Sequence, residues 1–437
     1  HNRFSDALNA VDQDFLLLKN VNTSQFGATR SVAAAHAMVR RESVLLAVPK
    51  DAMVDRELAP AQQALYVDKR RVQVIIDAFP FQIEGAMHLP PEVELLQYAH
   101  EPFRPYVPIT AATVTHISNP SLSFQAGFVM VNRKFIDVLV DMGGHTASSR
   151  LPVFTHRPAP VQVAYLLGHG YSSGLSAMDV FIADDLLAPP EAASLFAERI
   201  VRLPGCWIAT DTSETVPETT PSRASQGLPD SGFVFCSFNT IYKITPTVFD
   251  TWMRLLGQVR ESVLWLKNDG DIAAANLRRE AERRGVDGAR LIFAGRVPLG
   301  EHLARHRLAD LFLDTFPYGA QTTASHALWA GLPVLTMRGA TAVSRVSASI
   351  LETAGLSDLV VDSLDDYHRL ALEMAREPER LLAIRRRVKA ARESPLFDAA
   401  RYRRRVEKAY ALMLERQWRG EPPASFDVPD DDSSGGK

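Results

Sequence analysis

Residues 307–336 read RLADLFLDTFPYGAQTTASHALWAGLPVLT. A short apolar run, Leu311 to Leu313, leads into Asp314-Thr315-Phe316-Pro317-Tyr318-Gly319-Ala320-Gln321 and a pair of threonines. A helical run from Ala324 to Ala330 follows, then a second apolar run from Val334 to Thr336. Strand, loop, helix, strand is the repeating unit of a parallel α/β sheet. Gly319 permits a tight turn, and Thr322 and Thr323 fall at the expected N-cap and first turn of the helix. Free backbone N–H groups, the positive end of the helix dipole and two hydroxyls make a phosphate cradle that needs no P-loop lysine. Capping alone accounts for one threonine and leaves the second unexplained.

The same rhythm extends in both directions. Upstream lie a strand at 233–236, a helix from about Thr247 to Gln258, a strand at 263–266, a helix from Ile272 to Arg284 and a strand at 291–293. Downstream, Leu359 to Val361 continues the series. An earlier series offers strands at Phe15–Leu18, Ser43–Val48, Val72–Ile76 and Ile136–Val140, with a polar loop over 20–27 and an Ala-rich helix from Arg30 to Arg41. Ile76-Asp77 and Val140-Asp141 both end an apolar run in Asp, as two parallel strands of one sheet would. Two such series predict an α/β chain of two Rossmann-like lobes with mostly parallel strands.

The expected division is a first lobe over 1–209 and a Thr-, Ser- and Pro-rich linker or surface loop over 210–230. A second, nucleotide-binding lobe covers 231–395, and a helix over 396–419 packs back on the first lobe through Val406, Tyr410, Met413 and Leu414. The tail over 420–437, ending DDDSSGGK, is expected to be disordered.

Composition narrows the function. The chain has 437 residues and a formal net charge of −3, so nothing advertises a nucleic-acid or membrane surface. No apolar run approaches the roughly 18 residues needed to span a bilayer. His1 to Ser5 lacks the apolar core of a signal peptide, and two cysteines in so long a chain fit a reducing compartment, so a cytoplasmic location is expected. No G-x-G-x-x-G, H-E-x-x-H or C-x-x-C pattern occurs, which leaves dinucleotide and zinc chemistry unsupported.

In a doubly wound sheet the ligand lies beyond the carboxyl ends of the strands. After the strand at 233–236 come Asn239, Thr240 and Lys243; the lysine is either a point charge for a diphosphate or a solvated surface residue, and the other two offer neutral hydrogen bonds. After the strand at 291–293, His302 begins a helix with Arg305 one turn on; the histidine stacks on a nucleobase or is a cap. In the first lobe, His145 follows a Gly-Gly pair and His169 sits in the Gly-rich loop 168–174.

The ordered set DVLVDMGGHTASSR (137–150), RPAPVQVAYL (157–166), FNTIYKITP (238–246), SVLWL (262–266), the opening stretch 307–336, SRVSASIL (344–351) and SPLF (394–397) resembles the catalytic region of the O-linked N-acetylglucosamine transferase and SPINDLY family, from about Phe135 to Trp418. The resemblance implies a glycosyltransferase-B fold: two Rossmann-like lobes facing across a cleft, with a C-terminal helix returning to the first. It implies an inverting, metal-independent transfer of GlcNAc or another hexose from a nucleotide diphosphate, UDP-GlcNAc first, to a hydroxyl acceptor such as protein Ser or Thr. No cofactor is implied, the sugar nucleotide being substrate. Lys243 then matches the diphosphate lysine, Thr322 and Thr323 the phosphate-holding threonines, His302 the base-stacking histidine and Arg305 the arginine near it. Thr240 stands for a common Gln, Gln321 for a histidine and His326 for an Asp suited to ribose hydroxyls. His145 and His169 are the expected donor-sugar or acceptor-side residues, His145 as a catalytic candidate. Gln321, His326 and the lack, over residues 1–130, of the family's usual histidine near the acceptor keep a second reading open, a catalytically degenerate nucleotide-binding or scaffold protein. A sugar-nucleotide epimerase ranks behind both.

Overall fold

The computed structural model describes residues 15–24, 31–40, 46–47, 70–78, 81–89, 106–116, 123–132, 137–146, 149, 151–165, 171–208, 210–213 and 215–430. The second lobe carries six parallel strands: β12 (Val234–Ser237), β13 (Val263–Lys267), β14 (Leu291–Ala294), β15 (Leu311–Leu313), β16 (Val334–Met337) and β17 (Val360–Val361), when strands are numbered along the whole chain. Their order is β14-β13-β12-β15-β16-β17, the doubly wound arrangement in which the first and fourth strands of the lobe lie side by side. The direction of winding reverses between β12 and β15, and the loops leaving those two strands diverge to form a crevice. β12 and β15 are buried throughout, which is why both read as unbroken apolar runs.

The first lobe departs from expectation. β1 (Phe15–Ser24) and β2 (Ser31–Arg40) form an antiparallel two-stranded sheet. The Ala-rich segment expected as a helix is therefore a strand, and β1 continues through part of the expected polar loop. Cross-strand pairing overrides the helical preference of alanine here. β3 (Leu46–Ala47), β4 (Arg70–Ala78), β5 (Phe81–Leu89), β6 (Tyr106–His116) and β7 (Ser123–Asn132) are joined antiparallel. Only β8 (Val138–Asp141), β9 (Val161–Tyr165), β10 (Val180–Asp184), β11 (Arg199–Leu203) and β18 (Phe426–Asp427) run parallel. All ten of these strands share one sheet. Asp77 and Asp141 end neighbouring strands, but β4 and β8 are antiparallel, so the two carboxylates do not mark one edge as expected.

Helices are numbered in chain order: α1 (Leu151–Phe154), α2 (Pro246–Gln258), α3 (Asp271–Arg283), α4 (Leu299–Arg305), α5 (Thr322–Ala330), α6 (Val346–Thr353), α7 (Leu364–Arg376), α8 (Pro378–Ala390) and α9 (Ala399–Trp418). α9 lies across the parallel part of the first lobe, where Ala409, Met413 and Leu414 share a buried cluster with Val163, Ile182 and Val201. Tyr402 Oη donates to the Trp207 carbonyl at 3.1 Å, fixing the start of the helix. The expected disorder after residue 419 is overturned as far as Asp430. Val428 is buried and its N–H donates to Arg202 O, Ile200 N–H donates to Ser425 Oγ, and Asp430 takes both Arg401 and Arg405. An edge strand with open backbone groups has captured this segment. Residues 431–437 lie outside the described residues.

The segment over 210–230 runs along the second lobe. Arg307 reaches its backbone at Pro217 and Glu218, and Arg223 from within it donates to Gly232 O.

Candidate functional site

Three loops leave the carboxyl ends of β12, β14 and β15, and their side chains meet at the winding reversal. The organising group is Asp314, the residue after β15, which is 1% exposed. Its Oδ1 accepts from Asn239 Nδ2 (2.9 Å), Thr315 N (2.8 Å) and Ala320 N (2.8 Å), and its Oδ2 accepts from Thr336 Oγ1 (2.7 Å). The backbone carbonyl of the same residue accepts from Tyr367 Oη. A buried carboxylate this fully hydrogen-bonded pins the turn 314–320 to β12 and β16. Gly319 is required at the tip: a Cβ there would lie 2.8 Å from Ser347 Oγ and 3.1 Å from Asp314 Oδ2.

Lys243 closes a short 3₁₀ turn after β12. Its Nζ donates to Gly319 O at 2.9 Å and sits 3.8 Å from the centre of the Tyr318 ring. Thr245 Oγ1 donates to Phe316 O, so the two loops are tied at a second point. Burial draws the ammonium down from its ordinary value of 10.5 to about 8, a shift that the nearby Asp314 charge opposes. The lysine is thus brought against the turn that leads into α5.

Gln321 occupies the N-cap of α5, and both threonines fall inside the first turn, one position later than expected for Thr322. Gln321 makes no side-chain cap, and its Nε2 is buried without a hydrogen-bond partner. Ala324 N and Ser325 N both donate to Gln321 O. The preceding N–H groups of a helix have no acceptor within it, so those of Thr322 and Thr323 face outward as anion donors. Thr322 is exposed and Thr323 half-buried. Thr240, half-buried, stands at the N-cap of the Lys243 turn on the same side of the crevice.

Asn239 requires a correction. It is 3% exposed, and both hydrogen bonds from Nδ2 go to Asp314 and Thr315. Its remaining atom, Oδ1, is an acceptor and repels a phosphate oxygen. Asn239 therefore shapes the crevice and does not supply a donor to a diphosphate.

The third loop brings the base-side residues. His302 packs on Phe238, with ring centres 5.2 Å apart, and edge-on against His306 at 4.6 Å. Burial, then the charges of Arg305, His326 and Lys267, hold its imidazole down to about 4, so it is neutral near pH 7. His326, half-buried on α5, lies close enough to His302, His306 and Asp211 to act on each of them electrostatically. Arg305 needs the second correction. It is 5% exposed, its Nη1 donates to Gly295 O, and its Nε and Nη2 both donate to His302 Nδ1 at 3.0 and 2.7 Å. The guanidinium also lies over Phe238 and Trp265. It is directed at protein groups and not at an open face of the pocket.

On the first lobe, His145 is exposed and stacks on Tyr171 with ring centres 5.5 Å apart, its Nε2 3.2 Å from Ser172 O. Asp141 caps the same loop through Gly143 N and Gly144 N. Burial, then Tyr242 and Tyr171, raise the Tyr318 phenol above its ordinary value, so this loop comes near the lysine turn. His169 lies outside the described residues. Among the described residues, no three His, Cys, Asp or Glu side chains gather to hold a metal ion, and no helix is long and apolar enough to cross a membrane. Sequence reasoning passed over Asp314 and Tyr318. The signal for both was present, an Asp-Thr pair and an aromatic inside a strand-to-helix loop.

Residues 103–221 and 208–406 match the model of glycosyl transferase family 41. The protein named "Probable UDP-N-acetylglucosamine--peptide N-acetylglucosaminyltransferase SEC" of Arabidopsis thaliana is 31% identical over 319 residues, covering 71% of this chain and 32% of its own length. A SPINDLY protein of Solanum lycopersicum is 33% identical over 300 residues, 68% of this chain and 32% of its own. The chain thus spans about a third of the length of these curated relatives. Among solved structures, a mutant of the Thermobaculum terrenum O-GlcNAc transferase superposes with a TM-score of 0.60 at 32% identity, over 66% of this chain and 55% of that one.

Proposed function

The chain belongs to glycosyl transferase family 41 and has a two-lobed α/β, glycosyltransferase-B architecture, and from that premise we propose that it moves a sugar from a nucleoside diphosphate to a hydroxyl acceptor. UDP-GlcNAc is the proposed donor and a protein Ser or Thr the proposed acceptor, a reading supported by the names of its relatives. The observation that carries the proposal is the convergence of Lys243 with the mouth of α5 at the winding reversal, made through the 2.9 Å bond to Gly319 O.

In a direct displacement the acceptor hydroxyl oxygen attacks the anomeric carbon as the bond to the β-phosphate oxygen breaks, which inverts that carbon, and the hydroxyl proton passes to a base or to an oxygen of the departing diphosphate. Negative charge grows on the departing diphosphate. The Lys243 ammonium and the free N–H groups at Thr322 and Thr323 are positioned to neutralise it, with no metal required by the reading. His145 is the candidate on the acceptor side.

Turnover of UDP-GlcNAc, followed by UDP release, tests the assignment. Loss of one such charge-stabilising group lowers turnover on the order of 10²- to 10³-fold, so Lys243→Ala should fall by about that factor. Unchanged turnover would remove Lys243 from the reaction. The uncapped Gln321, its amide buried without a partner, favours the scaffold reading as the runner-up; UDP bound by the wild-type protein with no turnover would make that reading the correct one.

A further inference from the structure

The turn that carries Lys243 is too short to hold itself in place. It is a three-residue 3₁₀ turn, Ile241–Lys243, and its N-cap residue Thr240 makes no side-chain cap. Lys243 N donates to Thr240 O and Ile244 N donates to Ile241 O. So short a turn is marginal on its own, and its leading N–H groups find no acceptor inside it. The acceptor for Ile241 N comes from another loop: Asp269 Oδ2, at 2.8 Å and 28 residues on in the chain.

Asp269 is itself held. It lies in the connection between β13 and α3, where Asn268 N donates to Ala294 O of β14 and Asn268 Oδ1 accepts from Gly270 N. Gly270, at φ +124°, turns the chain into α3 in a conformation that favours glycine. The other carboxylate oxygen, Oδ1, lies 2.7 Å from Lys267 Nζ at the end of β13. One oxygen thus serves the cation and the other serves the turn. On its far side the turn meets the 314–320 loop, where Thr245 Oγ1 donates to Phe316 O and Lys243 Nζ to Gly319 O. β13 and β15 flank β12 in the sheet, so the lysine turn is gripped by the loops of both neighbouring strands.

We propose that Asp269 is a positioning residue for the transfer reaction: by capping the turn at Ile241 it sets where Lys243 meets the departing diphosphate. This rests on the reading that Lys243 neutralises that diphosphate. A carboxylate has no donor to offer a phosphate, so the effect of Asp269 on the reaction passes through the turn. Lys267 offsets the negative charge that this cap brings to the rim of an anion site. Misplacing a catalytic group by on the order of 1 Å costs about 10²-fold in rate, and the capped amide is only two residues from the lysine.

The test is a double-variant cycle on the full chain, read by UDP release from UDP-GlcNAc. Asp269→Ala should lower kcat by about 10- to 100-fold. In Lys243→Ala the same change should lower it by less than about twofold, because the group being positioned is gone. A merely structural role gives additive losses in the two backgrounds. Additive losses, or an unchanged kcat in Asp269→Ala, overturn the proposal. The combination Lys267→Met with Asp269→Asn supplies a conservative rescue. With the ammonium gone, the single amide oxygen is left to Ile241 N, and kcat should return to within about threefold of the wild type. A combined variant as slow as Asp269→Ala overturns the role given to this hydrogen bond. If Asp269→Ala does not fold, the ligand-free wild-type chain still decides. Its Ile241 amide, identified by its loss in Ile241→Val, should exchange with solvent more slowly than an unbonded amide, and an unprotected amide overturns the cap. A wild type that turns over no UDP-GlcNAc refutes the glycosyltransferase reading alone. The same cycle read by UDP affinity then tests the cap, with coupling to Lys243 sustaining it and additivity overturning it.

Discussion

Lys243 is held at about 8, well below the 10.5 of a free lysine, because most of its side chain is out of water. Between those two values the folded chain holds fewer protons than the unfolded chain. Its contribution to stability therefore rises with pH across that window, and the penalty of burying the ammonium is full below about 8. A diphosphate placed against the lysine reverses the balance by favouring the charged form. UDP binding at about pH 8.5 is therefore expected to take up protons, measurable by calorimetry in buffers of different ionisation heat, and Lys243→Met should abolish the uptake. Uptake that survives the substitution would assign the proton elsewhere. The residue scale is also where a linear reading was weakest. Lys243, Thr322 and His302 were legible from their places after strands, whereas the roles of Asn239 and Arg305 depend on partners remote in sequence or on which nitrogen faces the guanidinium.

At the scale of elements, the turn 314–320 is fixed by one carboxylate. Thr336→Val removes one of the four side-chain-oxygen bonds of Asp314 and should cost about 1–3 kcal/mol, because a buried acceptor loses a partner. Asp314→Ala leaves Asn239 Nδ2, Thr315 N, Ala320 N and Thr336 Oγ1 without their acceptor and should cost more than Thr336→Val, with UDP affinity falling in parallel. Thermal melts of the two variants rank the effects, and equal shifts would deny Asp314 its central place. The strands of this lobe were readable because parallel strands buried on both faces show as continuous apolar runs. β2 was not, since SVAAAHAMVR has the composition of a helix and becomes a strand through its pairing with β1. The segment 421–430 looked unstructured because its anchors are spread among Ser425, Val428 and Asp430, too few for a periodic signal.

Across the whole molecule, the lobes are joined by a small buried polar cluster. Asp184, at the end of β10, accepts from Leu186 N, Leu187 N and Trp207 N within the first lobe and from Ser349 Oγ on α6 of the second. Cys206 Sγ lies 3.4 Å from the same hydroxyl. Burial raises Asp184 from 3.8 to about 6, against the pull of these hydrogen bonds. The folded state thus binds this proton more readily than the unfolded state. The corresponding stability is full below about 4 and is lost as pH rises through about 6. Asp184→Asn should flatten that part of the melting-temperature profile, and Ser349→Ala should cost about 1.5–3 kcal/mol at pH 7, where the carboxylate is charged. A profile unchanged in Asp184→Asn would show that the proton is bound elsewhere.

The grip on a diphosphate is tested most directly by calorimetric titration of the wild-type protein and Lys243→Ala with UDP and with uridine. The wild-type protein should bind UDP at least about a hundredfold more tightly than uridine, because the ammonium and the mouth of α5 act only on the phosphates. In Lys243→Ala the gap should shrink while uridine affinity stays the same. UDP and uridine bound equally well by the wild-type protein would contradict the account.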